Sequence, residues 1–329
     1  MLYNHIGNLM SRKLLSLSLT ATLIGGTAFA EVPRVAVDIT PVHSLVARVM
    51  DGVGTPDLII QSGASPHEYS LRPSEASALQ EANVFFWIGP DLTPWLTEAI
   101  ETLAPHAAIT TLLETEGTIE LKFREGALFE AHDHDDHAEE EGHDDHDDHA
   151  KEEGHDDHGA HDPHAWLSPQ NAGNWLIVIA GQLSAADPEN AGAYFANTAA
   201  GRAEIDALMT QVNATLDPVR GGRFVVFHDA YQYFESDFDF PASGAISIGD
   251  ASDPSPARIV EIQKRIADEG ISCVLAEPQF NAGLVTTVLG GSDANTGVID
   301  PLGSDLEPGA TLYPQLINNM ATGLAGCLK

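Results

Sequence analysis

Two stretches of this chain follow one plan, in which short apolar runs rich in β-branched or aromatic residues alternate with longer segments of helical spacing. Residues 34–39, 58–61 and 84–88 are such runs, each bounded by Gly or Pro. Residues 74–80, between the last two, have helical spacing with Ser74 as the expected N-cap. The plan returns with strands expected at 223–227, 272–276 and 297–299 and an amphipathic helix at 256–268. Strands that alternate with helices form a mostly parallel sheet covered on its faces, because a parallel neighbour is reached through a crossover. The expected fold class is α/β, with two βα lobes.

Between the lobes a long helix is expected to open at Asp187-Pro188 and to end before Asp217-Pro218, since Asp suits an N-cap and Pro the first helical position. Ile205, Leu208, Met209, Val212 and Leu216 give it one apolar face. Unbroken, it would span about 40 Å, although Gly192 and Gly201 are places where it would break. A single rod of this kind permits limited closure rather than a wide swing. The expected organisation is residues 31–187 for the first lobe, 188–219 for the linker helix and 220–329 for the second lobe.

Residues 1–30 read as a cleavable export signal. Arg12 and Lys13 precede the apolar run 14–24, and Ala28-Phe29-Ala30 supplies small residues at a cleavage site; translation starts at Met1 or Met10. No cysteine near position 30 is placed to accept a lipid, so the expected location is the periplasm without an anchor. The formal net charge of −34 excludes nucleic acid and anionic lipid surfaces as partners, because both need a basic face, and favours cations. Cys273 and Cys327 are the two cysteines, and an oxidising compartment makes a disulfide their expected state.

Residues 130–162 form a low-complexity segment in which His134-Asp135-Asp136-His137-Ala138-Glu139 returns as His146-Asp147-Asp148-His149-Ala150-Lys151. It has too few apolar residues to offset the entropy of ordering, so a disordered loop is expected. Its histidines, His132, His134, His137, His143, His146, His149, His155, His158 and His161, alternate with carboxylates. Imidazole nitrogen beside carboxylate oxygen suits Zn²⁺, Cu²⁺ and Ni²⁺. A flexible tract does not preorganise one geometry, so it is expected to hold metal weakly and with little selectivity, as an auxiliary collector.

Selective capture needs a rigid site, and three isolated histidines stand where one can be built. His67 lies in the loop after the strand at 58–61, His164 in Asp162-Pro163-His164-Ala165-Trp166, and His228 directly after the strand at 223–227. Loops at the carboxyl ends of strands are where open α/β sheets bind ligands. Sequence spacing does not show that the three converge.

Three segments carry a family resemblance: Gly63-Ala64-Ser65-Pro66-His67-Glu68-Tyr69-Ser70-Leu71-Arg72-Pro73, Asp162-Pro163-His164-Ala165-Trp166-Leu167-Ser168-Pro169 and Val226-Phe227-His228-Asp229-Ala230-Tyr231. With Trp87-Ile88-Gly89-Pro90, Ala276-Glu277-Pro278-Gln279-Phe280 and Asp300-Pro301-Leu302-Gly303, they resemble the periplasmic zinc-binding proteins of ABC transporters, the ZnuA family. The resemblance implies that His67, His164 and His228 bind Zn²⁺ in a cleft between the lobes. A fourth position falls to Asp300 or water, and failing these to a histidine of the tract; the carboxylate that some members place before the first histidine is replaced here by Pro66. It also implies a Cys273–Cys327 disulfide, monomeric function, the inner-membrane permease of a zinc ABC transporter as partner, and a periplasmic zinc chaperone as a further one. The manganese-binding branch usually has a carboxylate at the position of His228, and imidazole suits Zn²⁺ better than Mn²⁺.

His43, in Thr40-Pro41-Val42-His43, is a lesser ligand candidate whose expected role is packing or capping. An extracytoplasmic metallohydrolase is the rival from another class. Leu71 stands where a His-Glu-x-x-His pair starting at His67 would be completed, and no Gly-x-Ser-x-Gly elbow is present. A metal-sequestering storage protein or adhesin of the same fold is a second rival, and a manganese or copper carrier is a third.

Overall fold

The apolar runs of the first half form a parallel sheet of order β2-β1-β3-β4. Its strands are β1 (Val35–Val37), β2 (Asp57–Leu58), β3 (Val84–Trp87) and β4 (Ala108–Thr111). A second parallel sheet has the order β6-β5-β7-β8, built from β5 (Phe224–His228), β6 (Ala245–Ser247), β7 (Cys273–Ala276) and β8 (Asn295–Val298). In both, the second strand in the chain lies outside the first and the third returns to its other side, so the two sheets repeat one topology. The computed structural model describes residues 32–124, 129, 161–247, 254–280 and 282–329, and Val32–Lys329 constitute one unit.

Strand ends differ from the sequence expectation for local reasons. The run at 58–61 is assigned as strand only over β2, yet Ile59 N and Ile60 N still donate to Val37 O and Asp38 O at 2.9 and 2.8 Å, so the pairing runs past the strand's end. The edge strand β8 lies two residues earlier than expected at its start, because exposed Asn295 and Thr296 carry no apolar signal. Strands β4 and β6, which the apolar pattern does not announce, are short. The helix expected at 74–80 is α2 (Pro73–Glu81). Pro73 occupies the first turn, so the N-cap is Arg72 rather than Ser74, and Glu75 Oε2 accepts from Arg72 N at 2.7 Å.

The linker helix α5 (Ala191–Leu216) runs unbroken for 26 residues, about 39 Å. It starts later than expected because Pro188–Asn190 form a separate 3₁₀ turn. Asp187 Oδ2 accepts from Asn190 Nδ2 and Tyr194 OH at 2.7 and 2.8 Å instead of capping a backbone amide. Gly201 does not break the helix. A Cβ there would meet Leu176 Cδ1 at 3.0 Å, so the glycine lets α5 lie close against α4 (Pro169–Ala186).

The single rod expected between the lobes has a second brace. Helix α1 (Thr40–Val49) and the C-terminal helix α9 (Leu312–Cys327) both pack on α5 and on each other. Tyr313 N donates to Ser44 Oγ and Tyr313 OH to Trp166 O, each at 2.9 Å. Thr40 Oγ1 donates to Leu302 O at 2.5 Å. Residues of both sheets, of α5 and of α9 share one continuous buried core. The Cys273–Cys327 disulfide, with Cα atoms 5.6 Å apart, ties the start of β7 to the end of α9 across 54 positions. Closing a loop of that length contributes about 4 kcal/mol in the chain-entropy account. Among the described residues no helix is long and apolar enough to cross a membrane.

Asp38 locks the carboxyl ends of β1 and β3. Its Oδ1 accepts from Ile39 N and its Oδ2 from Ile88 N, both at 2.7 Å. Burial nevertheless pushes its pKa up from 3.8 to about 7, against the lowering effect of those bonds. The unfolded chain gives up this proton first, so the group's contribution to stability falls as pH rises from about 4 to 7. Urea melts across that window should therefore show Asp38→Asn gaining on the wild type as pH rises. Parallel curves would mean that Asp38 keeps an ordinary carboxylate pKa.

Candidate metal centre

His67, His164 and His228 line one pocket, together with Ser65, Pro66, Trp166, Glu277, Gln279, Phe280, Pro301 and Leu302. Ring centroids lie 5.5 Å apart for His67 and His164 and 5.3 Å for His164 and His228. The sheet topology explains the convergence. His228 is the last residue of β5, Glu277 follows β7, and His67 follows β2, so all are carried at carboxyl ends of parallel strands. His164 comes from the turn leading into the 3₁₀ segment Ala165–Leu167, before α4.

Each imidazole is held differently. His164 Nδ1 bonds Asp162 Oδ1 at 2.7 Å, and the same oxygen accepts from His164 N at 3.0 Å. Its buried Nε2 has no hydrogen-bond partner among the described residues. His228 Nδ1 bonds Glu277 Oε1 at 2.7 Å, and both side chains are buried. A carboxylate acceptor on Nδ1 favours a proton there, the arrangement used behind metal-ligating histidines. His67 is only part-buried, and its loop is fixed from outside, with Trp95 Nε1 donating to Pro66 O at 2.8 Å and His67 N to Ser65 Oγ at 3.3 Å.

Aromatic and prolyl surfaces surround these nitrogens. Trp166 packs on His164 at 5.2 Å and Phe280 stands edge-on to His228 at 5.3 Å. Trp166 is itself fixed by its Nε1 donating to Pro301 O at 2.8 Å. Burial first, and then the charge of Glu277, raise the pKa of Tyr231 well above 10. Among the described residues no group of three or more His, Cys, Asp or Glu side chains is already gathered closely enough to hold an ion.

Asp300 is otherwise engaged. Its Oδ1 accepts from Gln279 Nε2 at 2.9 Å and Leu302 N at 3.0 Å, and its Oδ2 from Ser304 N at 2.5 Å. It shapes the turn carrying Pro301 and Leu302 and does not itself line the pocket. His43 is buried within α1, its Nε2 at 3.1 Å from Pro56 O, and burial lowers its pKa. This is a packing position outside the pocket lining. Of the tract histidines only His161 falls among the described residues, pairing with Lys122 in an isolated bridge at the tract's neck; His132, His134, His137, His143, His146, His149, His155 and His158 lie outside them.

Sequence reasoning overlooked the partners Asp162 and Glu277. Asp162 was legible as an acidic residue two positions before a candidate ligand, whereas Glu277 lies 49 positions from His228 and only the β5–β7 pairing brings them together. Arg124 was also missed. It bonds Asp229, next to His228, and Glu235.

A pocket between two α/β lobes, supplied with imidazole nitrogens and backed by carboxylates, defines a two-lobed binding protein for a borderline-soft metal cation. The profile of the family described as ZnuA, "Zinc-uptake complex component A periplasmic", matches residues 35–327. The high-affinity zinc uptake system protein ZnuA of Brucella suis is 46% identical over 319 residues, covering 94% of this chain and 96% of that protein. Its counterpart in Paracoccus denitrificans is 44% identical over 320 residues, covering 95% and 98%. A solved crystal structure of a ZnuA superposes with a TM-score of 0.71 at 20% identity, covering 91% of this chain and 100% of that one. The chain belongs to the ZnuA family of periplasmic binding proteins.

The carboxylate pairs fix a tautomer, which is directly observable. Long-range ¹H–¹⁵N spectra of the metal-free protein near neutral pH should show His164 and His228 protonated on Nδ1, with Asp162→Asn and Glu277→Gln each mixing the tautomers of its own partner alone. An unprotonated Nδ1 on either ring in the wild type would contradict the arrangement.

Proposed function

We propose that His67, His164 and His228 bind one Zn²⁺ through ring nitrogens, and that the protein carries it from the periplasm to the permease of an ABC-type zinc importer. The observation that carries this reading is His164, a pocket-lining residue whose Nδ1 is held by Asp162 while its buried Nε2 has no hydrogen-bond partner among the described residues. An unpaired buried acceptor costs about 1–3 kcal/mol, which a bound ion would recover. The family and the zinc-uptake relatives support the same cargo.

Metal preference follows from the donor set. Asp162 Oδ1 and Glu277 Oε1 are taken by imidazole Nδ1 atoms, and Asp300 by backbone amides and Gln279, so imidazole nitrogen dominates the donor set, beside the buried Glu277 Oε2, which has no hydrogen-bond partner among the described residues. Neutral nitrogen donors favour Zn²⁺ over the harder Mn²⁺. With Asp300 engaged, water completes the tetrahedral shell. Nothing in this arrangement requires chemistry on the water: the protein binds, shields and releases. The histidine-rich segment serves as a collector whose sites are weaker than the pocket, and residues 1–30 direct export.

Deleting residues 130–161 should leave one tight zinc equivalent, measured by competition with a chromophoric chelator. His164→Ala or His228→Ala should weaken it by two orders of magnitude or more, since each removes one of three protein ligands. Saturating zinc should raise the thermal midpoint of the wild type, because the ion binds the folded state alone. Tight binding that disappears with the tract and survives in both histidine variants would overturn the assignment. Cells lacking the protein should lose growth in zinc-depleted medium and recover it on zinc addition.

A further inference from the structure

A buried ion cluster lies beside the pocket and contributes none of its lining. Arg124 Nε lies 3.0 Å from both Asp229 Oδ1 and Oδ2, and Nη2 also donates to Asp229. Nη1 and Nη2 donate to Glu235 Oε2 and Oε1 at 2.7 and 3.1 Å. Phe129 covers the guanidinium face at 3.5 Å. Asp229 and Glu235 are each only 5% exposed. Burial works against charge on Arg124, yet Glu235 and Asp229 outweigh it and raise its pKa; burial in turn raises both carboxylates, opposed by Arg124. Taking these charges out of water is expensive unless they meet in a fixed geometry.

Position gives the cluster its meaning. Asp229 directly follows His228, and Glu235 lies in α6 (Gln232–Phe238), so Arg124 clamps both ends of the turn that leaves β5. The segment bearing Arg124 is also tied to His164. Leu121 N donates to Tyr233 OH at 2.9 Å, Tyr233 OH donates to Asp162 O at 2.8 Å, and Asp162 N donates to Leu121 O at 2.8 Å. Gln232, with its amide oriented to satisfy both, donates to Asp162 Oδ2 at 3.2 Å and Lys122 O at 3.1 Å. One network therefore runs from Asp162, which holds His164, to Asp229, which adjoins His228. The loop of His67 is held from another side, through Ser65, Pro66 and Trp95.

We propose that Arg124, at the neck of the histidine-rich insertion, is a positioning residue for zinc: its clamp on Asp229 and Glu235 presets His164 and His228 as a pair, which His67 then completes. This rests on the three-histidine reading of the pocket. Preset donors bind more tightly because less ordering remains to be done on binding. A purely electrostatic role has the opposite sign, since a nearby guanidinium repels Zn²⁺ and its removal would tighten binding.

The test uses the full chain, with zinc affinity from chelator competition and Co²⁺ as a spectroscopic probe of the same site. Arg124→Gln should weaken zinc at least tenfold and shift the visible ligand-field bands of the Co²⁺ form. Arg48→Gln, which breaks the separate Arg48–Glu204 pair with its 2.9 Å bonds, should lower the thermal midpoint while leaving zinc affinity and those bands in place. If Arg124→Gln fails to fold, Arg124→Lys keeps the charge without the fork; a severalfold loss with shifted bands is expected. Unchanged or tighter zinc binding in the folded Arg124 variant, with His228→Ala still losing zinc, overturns the positioning role alone. Unchanged binding in His228→Ala overturns the site beneath it.

Discussion

Parallel strand pairing is the constraint from which the rest of this molecule follows. Every neighbour in both sheets runs the same way, so each sheet sends its carboxyl ends, and the loops that leave them, to one edge. Between β5 and β7 the chain departs in opposite directions, opening a crevice at that edge. His228 and Glu277 stand on the two strands flanking it. The histidine–carboxylate bond thus spans the switch point of the sheet. Asp38 performs a comparable task between β1 and β3, holding two strand ends by their amides.

The lobes are held to each other more firmly than one helix would allow. α5 supplies a long rod, but α9 crosses back to α1 and the disulfide fastens its far end to β7. Large hinge opening would break a shared buried core, the Thr40–Leu302 bond and the Tyr313 bonds together. Local adjustment of side chains and loops costs far less. His67, part-buried in a loop that hangs from Trp95, is the pocket histidine best placed to make that adjustment.

Charge is used with restraint near the pocket. The chain as a whole is strongly acidic, which draws cations toward it, yet its pocket presents imidazole nitrogen, and oxygens of the nearest carboxylates are engaged by imidazole, amide and guanidinium donors. A carboxylate facing the ion would hold harder cations as well. Asp300 illustrates how such a group is withdrawn: three hydrogen bonds commit it to the turn at 301–304, a commitment set by the backbone path and therefore invisible in its sequence context. Ser74 and Asp187 depart from their expected capping roles for a similar reason, since a capping residue type does not reveal which amide its side chain meets.

Alone, the sequence determined the α/β class, the two-lobed plan and the long helix, because these rest on local patterns of hydrophobicity, and it singled out the three histidines as candidates through short motifs that carry a family resemblance. It also marked the tract at 130–162 as unable to supply a core. Only the tertiary structure decided that the three histidines share a pocket, that Asp162 and Glu277 orient two of them, and that Arg124 binds the neck of the insertion to the turn beyond His228. Those facts depend on residues brought together across strand pairing and helix packing, 105 positions apart for Arg124 and Asp229, and no local pattern encodes such a distance.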